Sequence, residues 1–169
     1  GGPTGVTDSA GTILIEGIDP GTTLVVKETR AKDGFLLDDT PQTAQIKAGQ
    51  TVTLEFRNQP TGQLIIHKLS GDDRKTPLEG VQFKITYSDG SFVDADSGQL
   101  SSNGLYWSNS AGQIILSGLT GTVVVTEVES IPGYTIAPNT QSQTVVINPN
   151  DTQELYFYNN PIGGIEIIK

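Results

Sequence analysis

The chain repeats itself, and that constrains its fold more than any other feature. Phe56-Arg57-Asn58 aligns with Phe157-Tyr158-Asn159, Gly62 with Gly163 and Lys68 with Lys169, all at one offset. Upstream, "LVVKETRAKDGF" from Leu24 matches "VVVTEVESIPGY" from Val123, which sets Glu28 against Glu127, and "SAGTILIEGI" from Ser9 matches "SAGQIILSGL" from Ser110. The period of about 100 residues is that of a small domain, not of a solenoid unit. The expected organisation is therefore the back part of one repeat over residues 1–60, a complete repeat over 61–160, and in 161–169 the first strand of a further repeat or a complementing strand. The junctions at Pro60-Thr61-Gly62 and Pro161-Ile162-Gly163 are too short for free swivelling.

Short alternating runs rich in β-branched and aromatic residues recur between Gly, Pro, Asn and Asp clusters: "TILIEGI", "TLVVKE", "TVTLEFRN", "QLIIHK", "VQFKITY", "QIILSGL", "TVVVTEV", "QTVVIN" and "QELYFYN". These are predicted strands, no segment reads as a helix, and an all-β sandwich is expected. Asp89-Gly90 supplies the positive φ angles of a hairpin turn. Val93 to Asn109 alternates poorly and is predicted to be a long loop with a small strand around Tyr106-Trp107.

Residues two apart on a strand share a face. In the complete repeat Leu64, Ile66 and Lys68 share one, Val123, Val125 and Glu127 a second, and Leu155, Phe157 and Asn159 a third. Leu24, Val26 and Glu28, then Leu54, Phe56 and Asn58, then Ile165, Ile167 and Lys169 say the same. Each time, two apolar residues lead one polar residue towards a core. Burying a lone charge or an unpaired amide costs several kcal/mol, roughly, so three such residues converging require an explanation. One is a satisfied polar cluster, with Lys⁺ paired to Glu⁻ and the amide completing the hydrogen bonds. The other is a reaction. Desolvation lowers a lysine pKa and raises that of a carboxylic acid, which favours a neutral, nucleophilic amine beside a protonated acid. That acid could polarise the Asn carbonyl and carry protons from the attacking amine to the leaving ammonia, giving a Lys–Asn amide.

The order "G-x-L-x-I-x-K", "P-L-x-G-V-x-F" (Pro77 to Phe83), "G-x-I-x-L-x-G-L", "V-x-E" six residues before "G-Y", then "Y-F-Y-N" resembles the collagen-adhesin B-type (CnaB, prealbumin-like) domains of Gram-positive surface proteins. The likeness runs over residues 62–160, and residues 7–60 match the second half of the pattern. It implies tandem reverse-immunoglobulin-like sandwiches, each with an autocatalytic isopeptide bond between first and last strands. By position, Lys68 is then the nucleophile, Asn159 the acceptor and Glu127 the proton shuttle, with Glu28 equivalent to Glu127 in the half repeat. Glu129 shares the inward parity of Glu127, but its counterpart is Arg30. Asn160 has outward parity.

The implied role is a structural stalk or spacer repeat of a cell-wall-anchored adhesin or pilus-like protein, extracellular and in contact with neighbouring repeats. Two alternatives stand beside it. One is an adhesive module that binds host matrix or carbohydrate through the Val93 to Asn109 loop. The other is a self-ligating module in which Lys169 of one molecule bonds to Asn58 of the next, head to tail. A net charge of −9 argues against nucleic acid and anionic membrane surfaces as partners. There is no cysteine, so disulfides and thiolate metal sites are excluded. No apolar run reaches membrane-span length and no signal peptide is visible, which suggests a piece of something longer. No cofactor and no metal are expected. His67, the single histidine, points outward by parity. "DADSG" from Asp94 lacks the glutamate of a calcium loop. No Ser/His/Asp set, phosphate loop or acid pair for glycoside cleavage is present, so turnover of an external substrate is not expected.

Overall fold

Strand formation follows the alternation wherever a second strand is available to complete the backbone hydrogen bonds. The structure is a computed structural model that describes residues 3–94, 101 and 103–169. It falls into two compact units, one of residues up to Arg30 with Leu37–Arg57, the other of Ala31–Leu36 with Asn58–Lys169.

In the first unit β1 (Thr23–Val26) pairs antiparallel with β2 (Gln42–Gln45), with Leu24 opposite Ala44. Gly21 and Ile46 extend the ribbon by backbone bonds of 2.8 Å. The predicted strands at residues 12–18 and 51–58 do not form. A strand exists only where a neighbour pairs with its N–H and C=O groups, and two strands alone make a marginal sheet. The alternation nevertheless survives in burial: Leu54, Phe56 and Asn58 are half-buried, while Glu55 and Arg57 between them are exposed.

The second unit holds β3 (Gly62–Ser70), β4 (Gln82–Tyr87), β5 (Leu105–Trp107), β6 (Gln113–Leu119), β7 (Gly121–Glu129), β8 (Tyr134–Ile136), β9 (Ser142–Ile147) and β10 (Thr152–Pro161). They form two four-stranded sheets, ordered β6-β3-β10-β8 and β5-β4-β7-β9. The inner faces of both sheets make one core, in which Leu64, Ile66, Phe83, Ile85, Val123 and Val125 are fully buried. Strands β2 and β8 lacked an alternating signal in the sequence. The expected small strand is β5, and the expected hairpin closes with Tyr87 N–H donating to the Ser91 carbonyl at 2.8 Å and Gly90 at φ 87°. Pro138–Thr140 forms one 3₁₀ turn, and among the described residues no helix is long and apolar enough to cross a membrane. Of "DADSG", all but Asp94 lies outside the described residues. The segment 162–169 forms no strand, and Ile165, Ile167 and Ile168 are solvent-exposed. A lone segment with no ladder partner stays out of strand assignment whatever its pattern.

Two relationships position the site. The first and last strands of the second unit, β3 and β10, run parallel side by side, with Phe157 opposite Lys68 and Asn159 opposite Ser70. Strand β7 lies in the facing sheet and pairs with β4. Gly112 lets β3 sit where it does. At φ 70°, a Cβ there would stand 2.5 Å from the Lys68 carbonyl and 2.9 Å from Pro77.

Candidate functional site: a lysine, a glutamate and an asparagine in one core

Strands β3 and β10 present Lys68 and Asn159 to the core from adjacent positions of one sheet, and β7 presents Glu127 from the other. All three are essentially inaccessible to solvent. Lys68 Nζ lies 3.1 Å from Glu127 Oε1, and Asn159 Nδ2 donates to the same oxygen at 2.8 Å. One carboxylate oxygen thus touches both the amine and the amide nitrogen.

Above them Phe83 meets Phe157 edge to face, with ring centroids 5.0 Å apart. Phe83 is paired in register with Glu127, and Phe157 with Lys68, so each ionisable residue has an aromatic residue as its cross-strand neighbour. This apolar enclosure sets the electrostatics. Burial lowers the Lys68 pKa below its ordinary value, partly opposed by attraction to Glu127. Burial raises the Glu127 pKa, partly opposed by Lys68 and by the Asn159 hydrogen bond. Both directions favour the neutral forms, an amine and a carboxylic acid.

A structural polar cluster in a core satisfies its hydrogen bonds. Ser108 does so, with its Oγ donating to the Leu78 carbonyl at 2.7 Å and accepting from Val81 N–H at 3.0 Å. Lys68 Nζ and Asn159 Oδ1 do not: both are buried and neither has a hydrogen-bond partner. The Nζ contact with Glu127 is close but out of line for a directed bond, so charge attraction is what opposes the burial of Lys68.

The sequence places Glu127 at the Asn159 carbonyl, whereas in the structure it meets the amide nitrogen. In this contact Oε1 is the acceptor, so it meets the donor end of the amide. Glu129 is also corrected. It is exposed, because the β4–β7 register slips between Gln82 and Phe83 and leaves Val128 as an extra residue. Such a bulge breaks the alternation. The same break brings in a group that parity placed outside: Ser130, just past the end of β7, whose Oγ accepts from Asn159 Nδ2 at 3.0 Å. A register slip is not written in the alternation, so no pattern in β7 alone would have found it.

The remaining candidates lie elsewhere. Asn160 is exposed. His67 is on the outer face of β3, stacked on Tyr156 at 4.5 Å and 2.8 Å from Glu154 Oε1. Glu28 and Asn58 are half-buried, and Lys169 is exposed in the segment after β10. Among the described residues no three His, Cys, Asp or Glu side chains converge as a metal site would need.

The parallel first and last strands, two facing four-stranded sheets and a buried trio of lysine, glutamate and asparagine between them define an all-β sandwich of prealbumin-like type. The chain belongs to the SpaA family of prealbumin-like fold domains, whose model matches residues 3–60 and again 62–161. Among solved structures it is similar to a minor pilin of Streptococcus agalactiae (22% identity, TM-score 0.54, 89% of this chain and 64% of that one). It is also similar to the shaft pilin of Lactobacillus rhamnosus GG (20% identity, TM-score 0.51, 85% and 66%) and to the TIE protein of Bacillus anthracis (22% identity, TM-score 0.51, 83% and 25%). The chain thus spans from a quarter to two thirds of those chains' lengths. No curated protein matches the sequence.

Proposed function

We propose that the chain is a structural domain of a pilus-type or other Gram-positive surface protein, and that residues 62–161 are covalently clamped by a Lys68–Asn159 isopeptide bond. The observation that carries this reading is the position of Glu127 Oε1, 3.1 Å from the amine and 2.8 Å from the amide nitrogen. Kinship with a family that includes pilin domains supports the surface role, and through it an extracellular location.

The chemistry follows from the neutral pair. Moving a proton from Lys68 to Glu127 frees the Nζ lone pair, which attacks Cγ of Asn159. The Cγ–Nδ2 bond breaks as Glu127 Oε1 passes that proton to Nδ2, ammonia departs, and Glu127 takes up the second proton that Nζ sheds on becoming an amide nitrogen. The chain acts once on itself and releases no other product. Its own residues supply every group required.

Intact-mass measurement tests this. The wild-type chain is expected to weigh about 17 Da less than its sequence, one ammonia per bond. Lys68→Ala, Asn159→Ala and Glu127→Gln should each have the full mass of their own sequences, the last because an amide cannot relay the proton. A folded wild-type chain of full mass would reduce the trio to a polar cluster.

A further inference from the structure

Each N–H of the Asn159 amide is already engaged. One is donated to Glu127 Oε1 at 2.8 Å, the other to Ser130 Oγ at 3.0 Å, while the amide oxygen is left with no partner. The hydroxyl is used in one sense only. Its own proton is directed to the Ile131 carbonyl at 3.5 Å, which leaves its lone pairs for the amide nitrogen. Lys68, Glu127 and Asn159 are sealed from solvent, whereas Ser130 is half-buried at the end of β7.

We propose that Ser130 is a fourth member of the site, holding the Asn159 amide nitrogen as the leaving group and passing it outward as ammonia. This rests on the isopeptide reading above and adds a residue to it. In the reaction the Nζ–Cγ bond forms and the Cγ–Nδ2 bond breaks. One proton travels from Nζ through Glu127 Oε1 to Nδ2, and ammonia carries it away. Two acceptors on the nitrogen fix the plane of the amide, so one face of Cγ is held towards the amine and the departing group cannot rotate away from its proton donor. Because Ser130 is only half-buried, unlike the three residues it adjoins, ammonia that keeps its hydrogen bond to Oγ has the shortest way out of the core on this side. The half repeat has Ala31 at the matching position, so Glu28 and Asn58 are without this group.

The test is a time course. The full chain is made in a reconstituted translation mixture, synthesis is stopped, and samples are quenched in denaturing acid and weighed. Ser130→Ala is expected to slow the mass loss about tenfold or more, and Ser130→Thr, which keeps a hydroxyl, to restore most of the rate. A Ser130→Ala rate within about twofold of wild type, or a Ser130→Thr rate as slow as Ser130→Ala, would overturn the assignment. Folding is controlled in the Lys68→Ala background, where no bond forms. Adding Ser130→Ala there should lower the melting midpoint by no more than the roughly 4–8 °C that one hydrogen bond of about 1 kcal/mol accounts for, and a drop several times larger would overturn the proposal by making the residue a structural support. If wild type itself keeps full mass, the isopeptide reading fails and Ser130 falls with it. If wild type loses the mass and Ser130→Ala keeps pace, only the Ser130 assignment fails.

Discussion

Gln141 brackets Glu127 from both sides: its side-chain Nε2 donates to the Glu127 carbonyl at 2.9 Å, and its own carbonyl accepts from Glu127 N–H at 2.8 Å. This occurs where β7 leaves its pairing with β9, one residue past the Thr126–Ser142 pair, and beside the slip in register against β4. The backbone of the residue proposed to relay the proton, in register with Phe83 on one side, is thus held on its other side where the pairing with β9 has ended. Gln141→Ala removes one of the two bonds. Losing about 1 kcal/mol of positioning should slow the mass loss roughly fivefold while leaving the final product unchanged. Timed intact-mass sampling reads this directly.

Thermal unfolding should report the clamp. A bond from Lys68 to Asn159 closes a loop of about 90 residues, worth roughly 4–5 kcal/mol by the chain-entropy estimate for cross-links. A domain of this size moves by about 4–8 °C per kcal/mol. Asn159→Ala is therefore expected to lower the melting midpoint of the second unit by roughly 15 °C or more, measured by calorimetry. A shift of a few degrees would mean that the core carries the stability without the bond.

Glu127 should reveal its burial through pH once Lys68 is removed. In Lys68→Ala no bond can form, and the influence of Lys68 that lowered the Glu127 pKa is gone, so burial, opposed only by the Asn159 hydrogen bond, raises it above the ordinary 4.5. Between 4.5 and the higher folded value, the folded state holds a proton that the unfolded state has released. Stability contributed by this group is then full below 4.5 and is lost as pH rises through the folded value. Melting midpoints of Lys68→Ala should fall as pH rises from 4.5 to the folded value and level off above it. In Lys68→Ala/Glu127→Gln this component of the dependence should disappear. Equal slopes in the two proteins would contradict a raised Glu127.

Gly112 tests the seating of the lysine strand. Gly112→Ala combines a φ of 70° with a Cβ pressed on the Lys68 carbonyl and Pro77. A cost of about 1–3 kcal/mol is expected, with β3 displaced at the nucleophile. Slower bond formation together with a lower melting midpoint in the Lys68→Ala background would show both effects. An unchanged midpoint there would show that the loop yields freely.

Much of the second unit was legible because alternation is a local property: Leu64-Ile66-Lys68 and Val123-Val125-Glu127 point inward for the same reason that their neighbours point out. The site residues were read from the same period of two, with the repeat marking which polar residues recur. What escaped was non-local. Whether residues 12–18 and 51–58 become strands depends on partners that no local pattern records. Val128 bulges because β4 and β7 slip relative to each other, and that slip exposes Glu129 and turns Ser130 towards Asn159. Which end of the Asn159 amide meets Glu127 depends on the rotation of that side chain, which spacing does not record.

The parallel run of β3 beside β10 has a mechanical corollary. The paired strands begin at Gly62 in β3 and end at Pro161 in β10, at opposite ends of their run. With Lys68 joined to Asn159, a pull between those points would travel along Gly62–Lys68, across the amide and out through Asn159–Pro161, a path of only about ten residues or roughly 35 Å. Residues 69–158 would sit in a side loop that bears no tension. Unfolding without the bond would instead pay out that loop, roughly 300 Å of slack. The covalent link would thus make the unit nearly inextensible even if its sandwich came apart, and a polymer built of such units would keep its length under strain.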